Sequence, residues 1–245
     1  MEIYGFTLLL RWVLGWFIQP KLRSLPKDMA HKKVAVIIPA RNEAKNLTTV
    51  LTALQQNTQF IDELLVVDDN STDQTNEIAT KLGVKVLKLN TLSAGWTGKS
   101  NALQQGVLNT KSEIILFLDA DTNPTPDLIG KLIACLEKNG GLISVQPFHQ
   151  MEKLYERFAA IFNLIGAIGA RLGERNGLAF GPAMMMYRTD LEKVGGLEKV
   201  SNQLLEDRAL GLLFIKNNLP VNTYLGGKDI SFQMYPAGIK SLTQG

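Results

Sequence analysis

Four short runs with strand character, VAVIIPA, ELLVVDD, VKVLKLN and EIILFLDAD, recur between Val34 and Asp121, and a helix-forming stretch follows most of them. The first is apolar throughout, as a strand buried on both faces must be, and the third alternates. In EAKNLTTVLTALQQNT the residues Leu47, Val50, Leu51 and Leu54 fall at helical spacing. DQTNEIATKLG reads as a second helix closed by Gly83, and SNALQQGVLNT as a third. TPDLIGKLIACLEKNG reads as a fourth, with Pro126 in its first turn. Strands and helices in this alternation predict an α/β fold: a Rossmann-like sheet with mostly parallel central strands flanked by helices. Ligands of such sheets sit at the carboxyl ends of the strands. The polar clusters ARNE, DDNSTD, GWTGKSN and DADT all fall there.

The second half is less regular. SVQPFHQ reads as a strand, residues 152–173 as a long helix, and LAFGPAMMMYRTDLEKVGGL as a strand into a turn and short helix. QLLEDRALGLLFIKNNL reads as a helix with acids near its start. In the long helix Tyr155, Phe158, Ile161, Phe162, Ile165 and Ile168 make a broad apolar face, suited to a core, a lipid acceptor or a bilayer. Met184, Met185 and Met186 read first as packing and second as a flexible acceptor wall. No repeat, low-complexity segment or linker interrupts residues 31–245, which are expected to form one domain.

Residues 1–30 stand apart as a hydrophobic segment followed by a basic stretch. MEIYGFTLLLRWVLGWFIQPKLR has no basic region before its apolar stretch and no cleavage site after it, so it is not a secretory signal. It barely reaches the roughly 20 apolar residues of a membrane span and carries Arg11 mid-way. Trp12, Trp16 and Phe17 favour an interface, and Lys21, Arg23, Lys27, Lys32 and Lys33 suit an anionic cytoplasmic leaflet. The segment is a membrane anchor, spanning or interfacial, or a helix packed on the domain. The net charge of +3 gives no argument for nucleic acid. The lone Cys135 reads as buried packing, and His31 and His149 make no zinc pattern.

The Gly98-Lys99-Ser100 fragment sits where a phosphate-binding loop of the G-x-x-x-x-G-K-[ST] type would sit. That motif needs glycine at position 93, where this chain has Ser93. The spacing excludes it. Asp119 and Asp121 explain more. Two residues apart in an extended segment, they point to the same side. A carboxylate pair with little basic charge beside it suits Mg²⁺ or Mn²⁺, which share such pairs with substrate phosphates. A lone D-x-D also occurs as a solvated turn, but here a buried strand delivers it to the edge holding DDNSTD and Lys99. Lys99 is then a point charge for a diphosphate, or else a surface lysine in a glycine loop. Of Asp68 and Asp69, one is expected to accept hydrogen bonds from a nucleobase or ribose. The other, like Asp73, suits a helix cap.

Taken in order, VAVIIPARNEAKNL, ELLVVDDNSTDQT, GWTGKSNAL, FLDADT and LEDRALG resemble the motifs of family 2 glycosyltransferases with the GT-A fold. The resemblance covers residues 34–213. Within the family it is nearest to bacterial membrane-associated enzymes that glycosylate carotenoid acids or related lipids. It rests there on GWTGKS, SVQPFHQMEKLYERFAAIFN and FGPAMMMYRTDLEKVGG. The resemblance implies an inverting hexosyltransferase using a UDP-sugar, such as UDP-glucose, a hydrophobic acceptor, and Mg²⁺ or Mn²⁺, at the cytoplasmic face of the cell membrane. It implies that Pro39, Ala40, Arg41 and Glu43 line the nucleotide pocket, that Asp69 binds the base, and that Lys99 approaches the diphosphate. Asp121 becomes the more direct metal ligand, with Asp119 beside it and closer to the sugar. Glu206 and Asp207 match the acidic pair whose aspartate is the general base, and Gly181 and Pro182 fall on the acceptor side. Two departures stand out. DISFQMYPAGIKSLTQG holds no Q-x-x-R-W or R-x-x-R-W motif, and such relatives continue into C-terminal hydrophobic helices, so the resemblance implies a truncated C-terminus. A silent nucleotide-sugar-binding module would have no physical need of Asp119, Asp121, Glu206 and Asp207 together. A sugar nucleotidyltransferase would open with a glycine-rich loop, and PARNEAKN has no glycine.

Overall fold

The computed structural model describes residues 23–93, 95–150, 179–203 and 205–232. The N-terminal segment up to residue 22, the expected helix over 152–173 and the C-terminal stretch from residue 233 lie outside them.

The strands are β1 (Arg23–Ser24), β2 (Val34–Ala40), β3 (Ile61–Asp69), β4 (Lys85–Leu89), β5 (Ile114–Leu118), β6 (Thr122–Pro124), β7 (Leu142–Gln146), β8 (Phe148–His149), β9 (Ala183–Tyr187), β10 (Val221–Leu225) and β11 (Ile230–Phe232). The helices are α1 (Ala44–Gln55), α2 (Thr75–Lys81), α3 (Gly98–Leu108), α4 (Leu128–Asn139), α5 (Arg188–Lys193) and α6 (Glu206–Lys216). Eight strands form one sheet in the order β1-β10-β7-β9-β5-β2-β3-β4. Its pairings are parallel except around β9, which runs antiparallel to both β5 and β7. Strands β6, β11 and β8 make a small second sheet. The expected mixed, mostly parallel sheet flanked by helices is present.

Alternation along β2 divides the core. Val34, Val36 and Ile38 face a cluster built with Leu47, Val50, Leu51 and Leu54 of α1 and Leu132, Ile133 and Leu136 of α4. Ile37 faces the other cluster, with Ala102 and Leu103 of α3 and Leu210 and Phe214 of α6. Each helix thus buries the face that its apolar spacing defines. Met184, Met185 and Met186 of β9 are no more than 1% exposed and split between the two clusters, so they are packing. Cys135 is buried, and that burial pushes its thiol up. The first packing reading holds for both.

Two strand expectations are corrected. SVQPFHQ divides at Pro147 into β7 and β8, which belong to different sheets. EIILFLDAD ends as a strand at Leu118, before its aspartates. The runs VNTYL and ISF, for which the sequence carries no strand expectation, form β10 and β11. Residues of the basic stretch also join the domain. Arg23 and Ser24 register on Tyr224 and Leu225, and the Ala30 amide donates to the Gly130 carbonyl at 3.1 Å.

β11 is anchored by a buried ion pair, Lys131 Nζ to Asp229 Oδ1 at 2.7 Å, with the two residues 8% and 9% exposed. Removing one partner leaves the other charged and desolvated. Asp229→Asn is therefore expected to cost about 3–5 kcal/mol in urea unfolding, and the Lys131→Met, Asp229→Leu double variant should recover most of that loss.

Candidate active site

Strand order places the site. From β2 the chain steps to β3 and β4 on one side, then crosses to β5 on the other. This reversal is a switch point, where neighbouring connections leave in opposite directions and open a crevice. The last residues registered between the two strands are Ile37 and Phe117. Pro39 lies beyond them, where its missing N–H costs the β2–β5 ladder nothing. A cleft of about 370 Å³ opens there, lined by Pro39, Ala40, Arg41 and Glu43 after β2, Asp69 at the end of β3, Gly98, Lys99 and Ala102 on α3, and Asp119, Ala120 and Asp121 after β5. Every residue expected in the nucleotide pocket is in this lining. A second cavity of about 380 Å³ opens at the amino ends of β3 and β4. Its Glu63 is already engaged by the amides of Lys111 and Ser112 at 2.7 and 2.8 Å.

The loops after β2 and β3 are laced together. The amides of Asn42, Glu43 and Ala44 donate to Ser71 Oγ, Thr75 Oγ1 and Asp73 Oδ2 at 2.9, 2.8 and 3.1 Å. Asp73 Oδ1 also accepts from the Thr75 amide at 3.0 Å, so one carboxylate holds the starts of both α1 and α2. Asp68 turns inward, is fully buried, and accepts from the Ser71 amide at 2.9 Å. Asp69 alone of the pair faces the cleft, with Arg41 Nη1 at 3.7 Å from Oδ2. Gly98 packs so closely on Asp69 Oδ2 that a Cβ there would collide with it. Thr97 caps α3, its Oγ1 accepting from the Ser100 amide at 3.4 Å. Gly98, Lys99 and Ser100 are therefore the first turn of a helix whose amino end faces the cleft, a favourable setting for an anion.

Asp119 and Asp121 converge through a turn and not through a strand's pleat. The Thr122 amide and Oγ1 both donate to the Asp119 carbonyl, at 3.3 and 2.7 Å, and turn the chain into β6. Asp121 keeps solvent contact at the cleft mouth. Desolvation by the surrounding protein, with the charges of Asp119 and Glu43, still pushes its carboxyl up to about 6. Glu43 is raised by burial, with Asp119 and Asp73 adding to it against a hydrogen bond from Asn46. Carboxylates that raise one another's pKa form an electrostatic site for a cation. Among the described residues no three His, Cys, Asp or Glu side chains are arranged to hold a metal by themselves. Two hard oxygen donors completed by diphosphate and water are nonetheless the usual arrangement for Mg²⁺ or Mn²⁺, and Asp119 and Asp121 fit it.

Lys99 joins this turn to the acidic pair on α6. Its Nζ lies 2.8 Å from Asp119 Oδ1 and 3.7 Å from Glu206 Oε1. Burial disfavours its charge, but Asp119, Glu206 and Asp207 outweigh that and hold the ammonium above the ordinary lysine range. Burial also pushes Glu206 up, against the pull of Lys99. Asp207 accepts from the amides of Gly181 and Arg208 at 2.8 and 2.7 Å, one on each oxygen. Gly181 and Pro182 lead into β9, and the Pro182 carbonyl accepts from the Asp119 amide at 2.9 Å. Residues far apart in sequence thus meet within a few ångströms.

A family model, Glycosyl transferase family 2, matches residues 35–195. The chain belongs to this family. It is 35% identical over 235 residues to a 4,4'-diaponeurosporenoate glycosyltransferase of Staphylococcus aureus (strain USA300), a match covering 92% of this chain and 62% of that protein. The chain therefore spans 62% of the length of that curated relative. Its fold is GT-A, shared with solved glycosyltransferases. A mannosyltransferase from Pyrobaculum calidifontis in complex with GDP-Man and Mn²⁺ superposes with a TM-score of 0.61 at 18% identity, over 90% of this chain and 62% of that one. Glucosyl-3-phosphoglycerate synthase from Mycobacterium tuberculosis with Mn²⁺, UDP and phosphoglyceric acid gives 0.57 at 21%, over 84% and 76%. In this family 2 chain the interlocked loops behind the cleft are a stability element as well as a scaffold. Asp73→Ala should lower stability by about 1 kcal/mol in thermal or urea unfolding, since it removes the acceptor of the first amide of two helices.

Proposed function

We propose that this chain is an inverting, metal-dependent hexosyltransferase that moves glucose from UDP-glucose to a hydrophobic acceptor of the carotenoid-acid type. The observation that carries the reading is the continuous charged path from the Asp119–Asp121 turn through Lys99 to Glu206 and Asp207. In this reading it would set a donor diphosphate subsite beside an oriented base. The named curated relative and the nucleotide- and Mn²⁺-bound neighbours support the same reading.

In this reading Asp69 accepts hydrogen bonds from the nucleobase, and the loop of Pro39, Ala40, Arg41 and Glu43 walls the pocket. A divalent cation held by Asp121 and Asp119 would supply Lewis-acid neutralisation of the leaving diphosphate. Lys99 and the amino end of α3 present positive charge to the same phosphates. Asp207, fixed by the Gly181 and Arg208 amides, takes the proton of an acceptor hydroxyl as the oxygen attacks the anomeric carbon opposite the leaving group. With an ionised carboxylic acid as acceptor the same side chain orients and need not deprotonate. Leu205, 61% exposed immediately before Glu206, gives that side an apolar rim. We place the protein at the cytoplasmic face of the membrane, on the strength of the hydrophobic and basic N-terminal sequence. Among the described residues no helix is long and apolar enough to cross a membrane.

Calorimetric titration with UDP and with GDP, each with and without Mn²⁺, tests the donor site. UDP should bind more tightly than GDP, in a metal-dependent manner that Asp121→Ala abolishes; absence of nucleotide binding by folded protein sinks the assignment. Asp207→Asn should lower kcat by about 10² to 10⁴ for a hydroxyl acceptor while leaving UDP affinity unchanged.

A further inference from the structure

Both oxygens of Asp119 meet one ammonium. Lys99 Nζ lies 2.8 Å from Oδ1 and 3.0 Å from Oδ2. The same nitrogen has a second carboxylate within 3.7 Å, Glu206 Oε1. Lys99 stands on the first turn of α3, which the contact of Gly98 with Asp69 holds in place. Its backbone is fixed, while its four-carbon stem lets the nitrogen swing between partners. The distance to cover is short. A Cβ added at Gly181 would lie 3.3 Å from both Lys99 Nζ and Asp207 Oδ2, so the nitrogen already borders the acidic pair.

A carboxylate in two-oxygen contact with an ammonium has much of its negative charge compensated. A divalent cation joining Asp119 and Asp121 must take Asp119, wholly or in part, from Lys99. We infer that Lys99 is a positioning residue that competes with the divalent cation for Asp119 and passes to Glu206 and the donor diphosphate as the cation binds. Metal and nucleotide then bind synergistically, because the diphosphate draws off the ammonium that opposes the metal. This rests on the transferase reading of the same cleft. The reciprocal effect follows by linkage: metal improves nucleotide binding by the factor that nucleotide improves metal binding.

Mn²⁺ binding, followed by the electron paramagnetic resonance of free Mn²⁺, provides the test. The full chain, Lys99→Met and Arg41→Met are titrated with Mn²⁺ alone and then in the presence of UDP. Lys99→Met should bind Mn²⁺ alone about tenfold more tightly than the parent, the low end of what a contacting opposite charge does to a carboxylate's affinity for a proton. The enhancement by UDP should shrink by a similar factor. Arg41→Met removes a positive charge from the same cleft, but from beside Asp69, and should leave Mn²⁺ affinity within about twofold. Lys99→Gln is the second variant, keeping a hydrogen-bonding side chain without the charge. Folded Lys99→Met or Lys99→Gln protein with parental or weaker Mn²⁺ affinity overturns the competition, as does equal tightening by Arg41→Met. If the parent binds UDP with Mn²⁺ while the Lys99 variants show no tightening, the competition alone is lost. If the parent binds neither, the transferase reading falls with it.

Discussion

The parting of β2 from β5 beyond Ile37 and Phe117 governs this molecule. Up to that pair the two strands are bound side by side and flanked by apolar layers. Past it, the chain on each side must find other partners for its backbone, and each does so differently. The β2 exit is stitched to the β3 exit through Asn42, Ser71, Asp73 and Thr75. The β5 exit folds into a turn held by Thr122 and is tied by its Asp119 amide to Pro182. Neither exit bridges the gap, so the space between them persists as a cleft.

Charge is treated differently in the cleft and elsewhere. Away from it, ionic groups are satisfied locally: buried Lys131 faces Asp229, and half-buried Glu63 collects amides from Lys111 and Ser112. In the cleft Asp119, Glu206 and Asp207 share the ammonium of Lys99, and the carboxyls of Glu43, Asp121 and Glu206 are raised first by burial and then by their acidic neighbours. A fold optimised for stability alone would not keep this arrangement. It is the kind of local cost that binding a cation and a diphosphate can offset.

The sequence was most readable where burial is two-sided. VAVIIPA and the strand part of EIILFLDAD have no polar residue to confuse a period, and both lie at the centre of the sheet. The donor pocket was readable for a related reason: parallel strands bring polar termini to one edge whatever the details of packing. VNTYL was missed because β10 lies near the sheet's margin, its residues mostly half-exposed and its pattern without a clean alternation. ISF was too short for any periodicity. The break of SVQPFHQ at Pro147 turned on which sheet each half joins, a tertiary outcome. The aspartate turn was mistaken for extended chain because Thr122, which closes it, acts through a backbone carbonyl that no motif records. Nor could spacing reveal that Lys99 spans two acidic groups, since Asp119 and Glu206 lie on separate elements.

The reversed direction of β9 has a consequence for how such a protein can diversify. A parallel strand sends its end towards the cleft, whereas β9 arrives there at its start, so Phe180, Gly181 and Pro182 are an entry into the sheet. That entry is clamped by Ser144, whose hydroxyl donates to the Phe180 carbonyl and accepts from its amide. On the other side of the interval, the Gln150 amide is held by the Phe232 carbonyl. Both ties are made to the sheets and involve no residue of the cleft lining. A protein built this way can vary at these ties while the residues lining the cleft stay unaltered.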